Sequence, residues 1–167
     1  GIMLDVANRL KENSRIKFLV IGECVEKQDL IEKSKRLGLE SIQFLPLQPR
    51  HRIPAFLSIS NVAFVPLVSK DLSDSVPSKL YEYLALGCPV ILAGHGDSEE
   101  LLSRAEAGVV IDPDNVHQLM EIILTLSMDE RLLEQYSING SEYIREHFLR
   151  SILAKQLEGL CQSTINS

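Results

Sequence analysis

The sequence has few cysteines, lacks long apolar runs and carries no excess of basic residues. Its three cysteines, Cys24, Cys88 and Cys161, are far apart and show neither CxxC nor Cys/His spacing. That pattern argues against a disulfide framework and a zinc site, and favours reduced, mostly buried thiols. No apolar run approaches the roughly 18 residues that span a bilayer, and the N-terminus lacks a signal-peptide block. We therefore expect a cytoplasmic protein. The net charge of −6 argues against nucleic acid as a partner.

Short apolar runs alternate with helix-like segments along the chain. The runs predict strands at residues 16–21, 42–45, 62–67, 89–92 and 108–111. Helical periodicity predicts helices at 1–13, 27–37, 50–58, 77–86, 98–106, 116–127, 129–146 and 149–161. Gly38 and Gly87 are placed to end two of these helices. The alternation predicts a Rossmann-like, doubly wound parallel sheet with helices on both faces, as one domain over residues 1–161, followed by a frayed tail at 162–167.

Ligands of open α/β sheets bind beyond the carboxyl ends of the strands. One of those ends leads into the most informative part of the chain, residues 74–90. Pro77 suits the first position of a helix. The backbone N–H groups of Ser78, Lys79 and Leu80 would then lack helical partners at the positive end of the helix dipole, which predicts a seat for a pyrophosphate. Ser78 adds a hydroxyl, and Lys79 adds a mobile cation.

Two carboxylates flank this predicted seat. Glu82 lies five residues past Pro77, roughly 7–8 Å along the helix axis, and Asp74 lies in the loop on the other side of the helix start. Because the two carboxylates lie on either side of the seat, they would be too far apart for a paired acid and base, which needs about 5–9.5 Å. Accepting hydrogen bonds from sugar hydroxyls suits each carboxylate better. The alternatives are a solvated surface charge for Glu82 and a plain helix N-terminal acid for Asp74.

Residues 74–90 resemble the signature of the family-4 glycosyltransferases of GT-B architecture. That signature has two acidic residues with seven between them, then small and apolar helix residues, then Gly-x-Pro-Val, which stands here as Gly87-Cys-Pro-Val90. Further blocks resemble the family in the same order, at residues 20–24, 42–46, 61–66, 96–100 and 108–113. The resemblance implies the C-terminal, donor-binding half of a GT-B fold.

The resemblance also implies roles for particular residues. Asp74 would hold the donor sugar, although the family usually has the longer Glu there, and Glu82 would hold the nucleotide ribose. Pro77, Ser78, Lys79 and Leu80 would bind the diphosphate. Gly22, Leu45 and Pro46 would lie at the nucleotide end of the site.

The implied reaction is transfer of a hexosyl or N-acetylhexosaminyl group, with retention, from a nucleoside-diphosphate sugar to an acceptor hydroxyl. The donor we expect first is a UDP-sugar, with no metal or other cofactor. The acceptor would be a saccharide or lipid-linked saccharide, and the complete protein could associate with the inner face of the membrane. The Pro-Ser-Lys-x-Tyr segment that starts at Pro77 resembles a subgroup that acts in bacterial surface polysaccharides.

In the family, a further strand, an Arg and a Lys that neutralise the donor phosphates, and the acceptor-binding domain all precede the position of Gly1. We therefore expect the chain to be part of a longer protein and to be inactive by itself. In the doubly wound order that strand is central, so something must fill its place. Two alternatives remain open at this point: a sugar-nucleotide epimerase of the same architecture, and a nucleotide-sugar-binding module without chemistry.

Overall fold

The structure, a computed structural model, describes residues 1–23, 26–67 and 75–149 of the 167-residue chain. Five strands lie in this part: β1 Phe18–Ile21, β2 Ile42–Leu45, β3 Ala63–Pro66, β4 Val90–Ala93 and β5 Gly108–Ile111. The helices are α1 Ile2–Arg9, α2 Lys27–Arg36, α3 Ile53–Ser58, α4 Ser78–Ala85, α5 Asp97–Ala105, α6 Val116–Met128 and α7 Glu130–His147. Of the helices in the described residues, none is long and apolar enough to cross a membrane.

All five strands pair in parallel, and in the described ranges they divide between two sheets. β1 pairs with β2, and β4 lies between β3 and β5. The predicted parallel α/β architecture is confirmed, with helices between successive strands. The difference from the prediction is that the strands form two sheets where one continuous sheet was expected.

Strand order explains where the sheet divides. In the doubly wound order 3-2-1-4-5-6, a central strand joins the two halves of the sheet. If β1 to β5 take places 2 to 6 of that order, place 1 falls between β1 and β3. In the part of the chain that the structure describes, the two sheets separate at this point.

The core has two parts, one on each face of β4. Ile91 and Ala93 belong to a cluster with α1, α6 and the start of β1, whereas Val90 and Leu92 belong to a cluster with α4, α5 and α7. These four residues of β4 are each at most 3% exposed. Alternating side chains of one strand therefore hold helices against both faces, as the doubly wound prediction requires.

Most predicted boundaries agree with the structure to within a few residues, and β2 and β5 agree in full. Gly38 and Gly87 follow their helices with φ of +65° and +66°. Residues 50–58, predicted as one helix, begin with a 3-10 turn over Arg50–Arg52 before α3. The predicted helix over residues 149–161 and the predicted tail lie almost wholly outside the described residues.

Candidate functional site

The site is built around the first turns of α4, at the carboxyl ends of the strands. Ser78 and Lys79, in the first turn, are exposed, whereas Leu80 and Leu84 are fully buried on the other side of the helix. The burial of these two leucines fixes the rotation of α4 about its axis. Glu82, between them in sequence, is therefore directed away from the core, with 36% of its side chain exposed.

The start of α4 corrects two expectations. Pro77 precedes the helix as its N-cap residue, with φ −59° and ψ 136°, and does not occupy the first helical position. Its φ suits a helix, but its ψ is extended. The expectation that the N–H of Leu80 is unpaired is also wrong, because it donates to the carbonyl of Pro77 at 2.9 Å. Ser78 and Lys79 remain, and their N–H groups have no backbone acceptor among the described residues.

Arg50 is the side chain that contacts Glu82. Nη2 of Arg50 lies 2.5 Å from Oε1 of Glu82, although the two residues are 32 positions apart. Arg50 belongs to the turn after β2, in the two-stranded sheet, and Glu82 belongs to a helix that packs on the three-stranded sheet. The ion pair therefore joins the two halves of the fold at the edge where a ligand is expected.

Lys27 joins the ends of β1 and β2. Its ammonium group donates to the carbonyls of Gly22 at 2.7 Å and Leu45 at 3.0 Å, and to the carboxylate of Glu23 at 2.8 Å. Only 15% of the Lys27 side chain is exposed. Gly22, at φ +128°, also donates its N–H to the Leu45 carbonyl at 3.3 Å. The structure thus brings Gly22 and Leu45 together, and internal contacts occupy these backbone groups.

Glu23 extends this network to the turn after β2. Its Oε1 atom also accepts the backbone N–H of Leu47 at 3.4 Å. The hydrogen bond from Lys27 lowers the pKa of the Glu23 carboxyl from its ordinary value. Pro46, predicted at the nucleotide end of the site, is exposed in this turn, and its carbonyl accepts from Nε2 of Gln48 at 3.0 Å. The turn is therefore held to the end of β1 by Glu23 and stabilised internally by Gln48.

Charged side chains also meet at the ends of β4 and β5. His95 is an exposed residue of the loop after β4, and its ring contacts two carboxylates, through Nδ1 to Glu99 at 3.1 Å and through Nε2 to Asp112 at 3.3 Å. Asp112 follows β5, so the histidine links the ends of β4 and β5.

Of the predicted site residues, the structure places Glu82, Pro77, Ser78, Lys79 and Leu80 together on α4 or at its start. Asp74 lies outside the described residues, so its role on the sugar side stays a prediction. The sequence interpretation missed Arg50 and Lys27. The basic run Arg50-His-Arg52, directly after a strand in an acidic chain, was the signal that could have identified Arg50.

Comparisons with known proteins identify the family of the chain and several relatives. Residues 2–143 match the family model described as glycosyl transferases group 1. The putative colanic acid biosynthesis glycosyltransferase WcaL of Salmonella typhimurium is 24% identical over 97% of this chain and 41% of its own length. The chain spans less than half the length of the curated relatives it matches.

Two solved structures show the fold. The Anabaena HepE structure in complex with UDP and glucose superimposes with a TM-score of 0.78 at 20% identity, over 97% of this chain and 44% of that one. The C-terminal domain of the group 1 glycosyltransferase LpcC from Francisella tularensis superimposes with a TM-score of 0.71 at 22% identity, over 89% of this chain and 78% of that one.

The parallel α/β fold is the one that these solved structures share, and the family model identifies the chain as a glycosyltransferase domain. The match over most of the chain is specific enough to state the family. The chain belongs to the group 1 glycosyltransferases.

Proposed function

We propose that the chain is the donor-binding domain of a retaining glycosyltransferase that uses a nucleoside-diphosphate sugar. The observation that carries the proposal is the position of Glu82. Its carboxylate projects from the second turn of α4, away from the buried Leu80 and Leu84 and beside the exposed start of the helix. A carboxylate there can accept hydrogen bonds from ribose hydroxyls while the diphosphate lies at the helix N-terminus.

The start of α4 supplies the anion-binding end of this arrangement. The N–H groups of Ser78 and Lys79 point out of the first turn at the positive end of the helix dipole, where a phosphate is stabilised. The hydroxyl of Ser78 and the ammonium of Lys79 are exposed beside them. Stabilising the departing diphosphate is how such a site would accelerate transfer, because negative charge develops there as the glycosidic bond breaks.

Asp74 completes the proposed site from the sugar side, and it stays a prediction from the sequence. A hexosyl or N-acetylhexosaminyl donor, carried by UDP in the first instance, is the substrate class we propose, and neither a metal nor another cofactor is part of the proposal. The acceptor, a saccharide or lipid-linked saccharide, would bind to another domain of a longer protein. Two of the relatives are named for colanic acid biosynthesis, which supports a role in polysaccharide or glycolipid biosynthesis. We also propose a cytoplasmic location at the inner membrane face.

The division into two sheets supports a longer protein. The edges of β1 and β3 at which the sheets separate carry backbone groups that a further parallel strand can pair with. We propose that such a strand lies between them in the complete protein, and that residues 1–161 and this strand form one domain. The family match favours a transferase over the first alternative, an epimerase.

Titration of the protein with UDP, GDP and dTDP tests the proposal. We expect one of the three to bind, and Glu82→Ala to weaken its binding about tenfold or more, since a hydrogen bond to a charged group contributes about 1.5–3 kcal/mol. Glu134→Ala, which removes an exposed glutamate of α7, is the matched control and should bind as the wild type does. Absence of binding at millimolar concentration of all three nucleotides would overturn the proposal.

In the complete protein, Glu82→Ala should abolish sugar transfer while the circular dichroism spectrum stays unchanged. A variant that binds nucleotide normally and transfers sugar at the wild-type rate would contradict the role given to Glu82. Nucleotide-sugar binding without any transfer by the wild type would instead favour the binding module without chemistry.

A further inference from the structure

We infer that Arg50 is a positioning residue of the nucleotide site, which orients the carboxylate of Glu82 towards the ribose. This inference rests on the proposed function and deepens it. It adds a side chain from the turn after β2, outside the residues 74–90 that carry the family signature. The substrate group concerned is the vicinal hydroxyl pair of a ribonucleotide.

The contact between the two side chains leaves one carboxylate oxygen of Glu82 available to a ligand. Oε1 accepts the hydrogen bond from Nη2 of Arg50 at 2.5 Å, and Oε2 accepts no hydrogen bond from the described residues. Hydrogen bonds between ionised groups are shorter and stronger than neutral ones. Arg50 therefore fixes one oxygen and with it the plane of the carboxylate, so that the second oxygen is presented to a hydroxyl without further loss of side-chain entropy.

The turn that leads to Arg50 is itself held in place by hydrogen bonds. Arg50 follows the turn at residues 46–49, and this turn is held to β1 through Lys27, which binds the Leu45 carbonyl, and through Glu23, which binds the Leu47 N–H. The guanidinium group thus extends from a constrained turn across to α4. A nucleotide bound at the carboxyl ends of the strands, between this turn and α4, would lie beside this ion pair.

A purely structural ion pair would behave differently. The Arg50 side chain is 89% exposed and that of Glu82 36% exposed. Exposed pairs of this kind contribute about 0–1 kcal/mol to stability. Removing Arg50 should therefore leave the stability of the fold nearly unchanged. If the ion pair had only a structural role, its removal would not change the preference of the protein for ribose over a sugar without the 2′ and 3′ hydroxyls. Discrimination between these sugars separates the two roles.

The experiment uses isothermal titration of Arg50→Met and Arg50→Lys, with Arg52→Met as the control two residues along the same exposed turn. The ligand is whichever of the two ribonucleotides, UDP and GDP, the wild type binds more tightly, together with the 2′,3′-dideoxynucleotide of the same base. We expect the wild type to prefer the natural nucleotide about tenfold or more, the ratio that a charged hydrogen bond supports. Arg50→Met should reduce this preference to about threefold or less, Arg50→Lys should retain part of it, and Arg52→Met should leave it unchanged.

Glu82→Gln and the double variant with Arg50→Met complete the set. We expect Glu82→Gln to remove the preference, and the double variant to show no further loss, because both changes act on one carboxylate. If Glu82→Gln removes the preference and Arg50→Met does not, the inference is overturned and the proposed function stands. If the wild type binds none of the nucleotides, or Glu82→Gln has no effect, the proposed ribose contact itself fails.

Discussion

The hydroxyl of Ser98, which is fully buried, donates a hydrogen bond of 3.2 Å to the carbonyl of Ser75. Ser98 is the second residue of α5, and Ser75 lies three residues before α4. The two residues are 23 positions apart. This single side chain therefore fixes the start of one helix relative to the segment that leads into the other.

We expect Ser98→Ala to lower the free energy of unfolding by about 1–2 kcal/mol, because the Ser75 carbonyl loses its donor and a small cavity forms. Nucleotide binding at the start of α4 should weaken with it. Urea denaturation measures the first effect and titration the second. Ser103→Ala, at an exposed position of the same helix, is the control and should change neither quantity. Equal stabilities of the two variants would show that the Ser98 hydrogen bond contributes nothing.

The ammonium group of Lys27 should contribute to the stability of the fold. Lys27→Met leaves the carbonyls of Gly22 and Leu45 without their ammonium donor, in a position where only 15% of the lysine side chain is exposed. We expect a loss of about 1–3 kcal/mol in the free energy of unfolding, together with weaker nucleotide binding.

The control for this variant is Lys33→Met. Lys33 pairs with Asp5 on the surface at 3.0 Å, with 43% of its side chain exposed, and surface pairs contribute little. Thermal unfolding of both variants makes the comparison. If Lys33→Met were as destabilising as Lys27→Met, the network at the ends of β1 and β2 would have no special importance.

Gly108 permits a steric prediction. A Cβ atom at this residue would lie 1.9 Å from the carbonyl oxygen of Val90, in the neighbouring strand. We expect Gly108→Ala to destabilise the protein by about 3 kcal/mol or more, because overpacking here forces β4 and β5 apart. Gly38→Ala, where a Cβ meets open space at φ +65°, should cost about 1 kcal/mol from backbone strain alone. The ranking of their melting temperatures is the measurement, and the reverse ranking would contradict the packing of β4 against β5.

The buried thiol of Cys88 should make the free energy of unfolding depend on pH. Burial raises the pKa of its thiol from 9.0 to about 11. Between these values the unfolded chain releases a proton that the folded chain keeps, so stability is fully present below pH 9 and is lost as the pH rises to about 11. The shift corresponds to about 2–3 kcal/mol. Urea denaturation at pH 7 and pH 10.5 should therefore show a larger loss for the wild type than for Cys88→Ala, and equal losses would refute the assignment.

The sequence was sufficient for elements whose boundaries depend on local signals. Gly38 and Gly87 marked two helix ends because only a residue without Cβ adopts their backbone conformation readily. The predicted helix position of Pro77 was wrong by one residue. Its φ is compatible with a helix, but its ψ depends on the neighbouring loop. Glu82 was singled out by the resemblance of residues 74–90 to the family signature, and helix geometry then placed it away from the leucine face.

Contacts between distant residues could not be predicted in this way. Arg50 reaches Glu82 across 32 positions, and Lys27 reaches Leu45 across 18. Neither pairing follows from periodicity, because it depends on how the turn after β2 is placed relative to α4. The division of the strands between two sheets is similar, since it follows from which strand edges meet and not from the apolar run of any one strand.

The unequal size of the two sheets has a consequence for hydrogen exchange. β4 is paired on both sides and buried on both faces, whereas β1 and β2 pair only with each other among the described residues. Amides of β4 should exchange through global unfolding, and those of β1 and β2 through smaller local openings. Arg50 and Lys27 thus belong to the less protected part of the domain and Glu82 to the more protected part. A nucleotide bound between the turn after β2 and α4 would therefore slow amide exchange mainly in β1 and β2. The carboxylate proposed to bind its ribose, that of Glu82, lies in the other, more protected part.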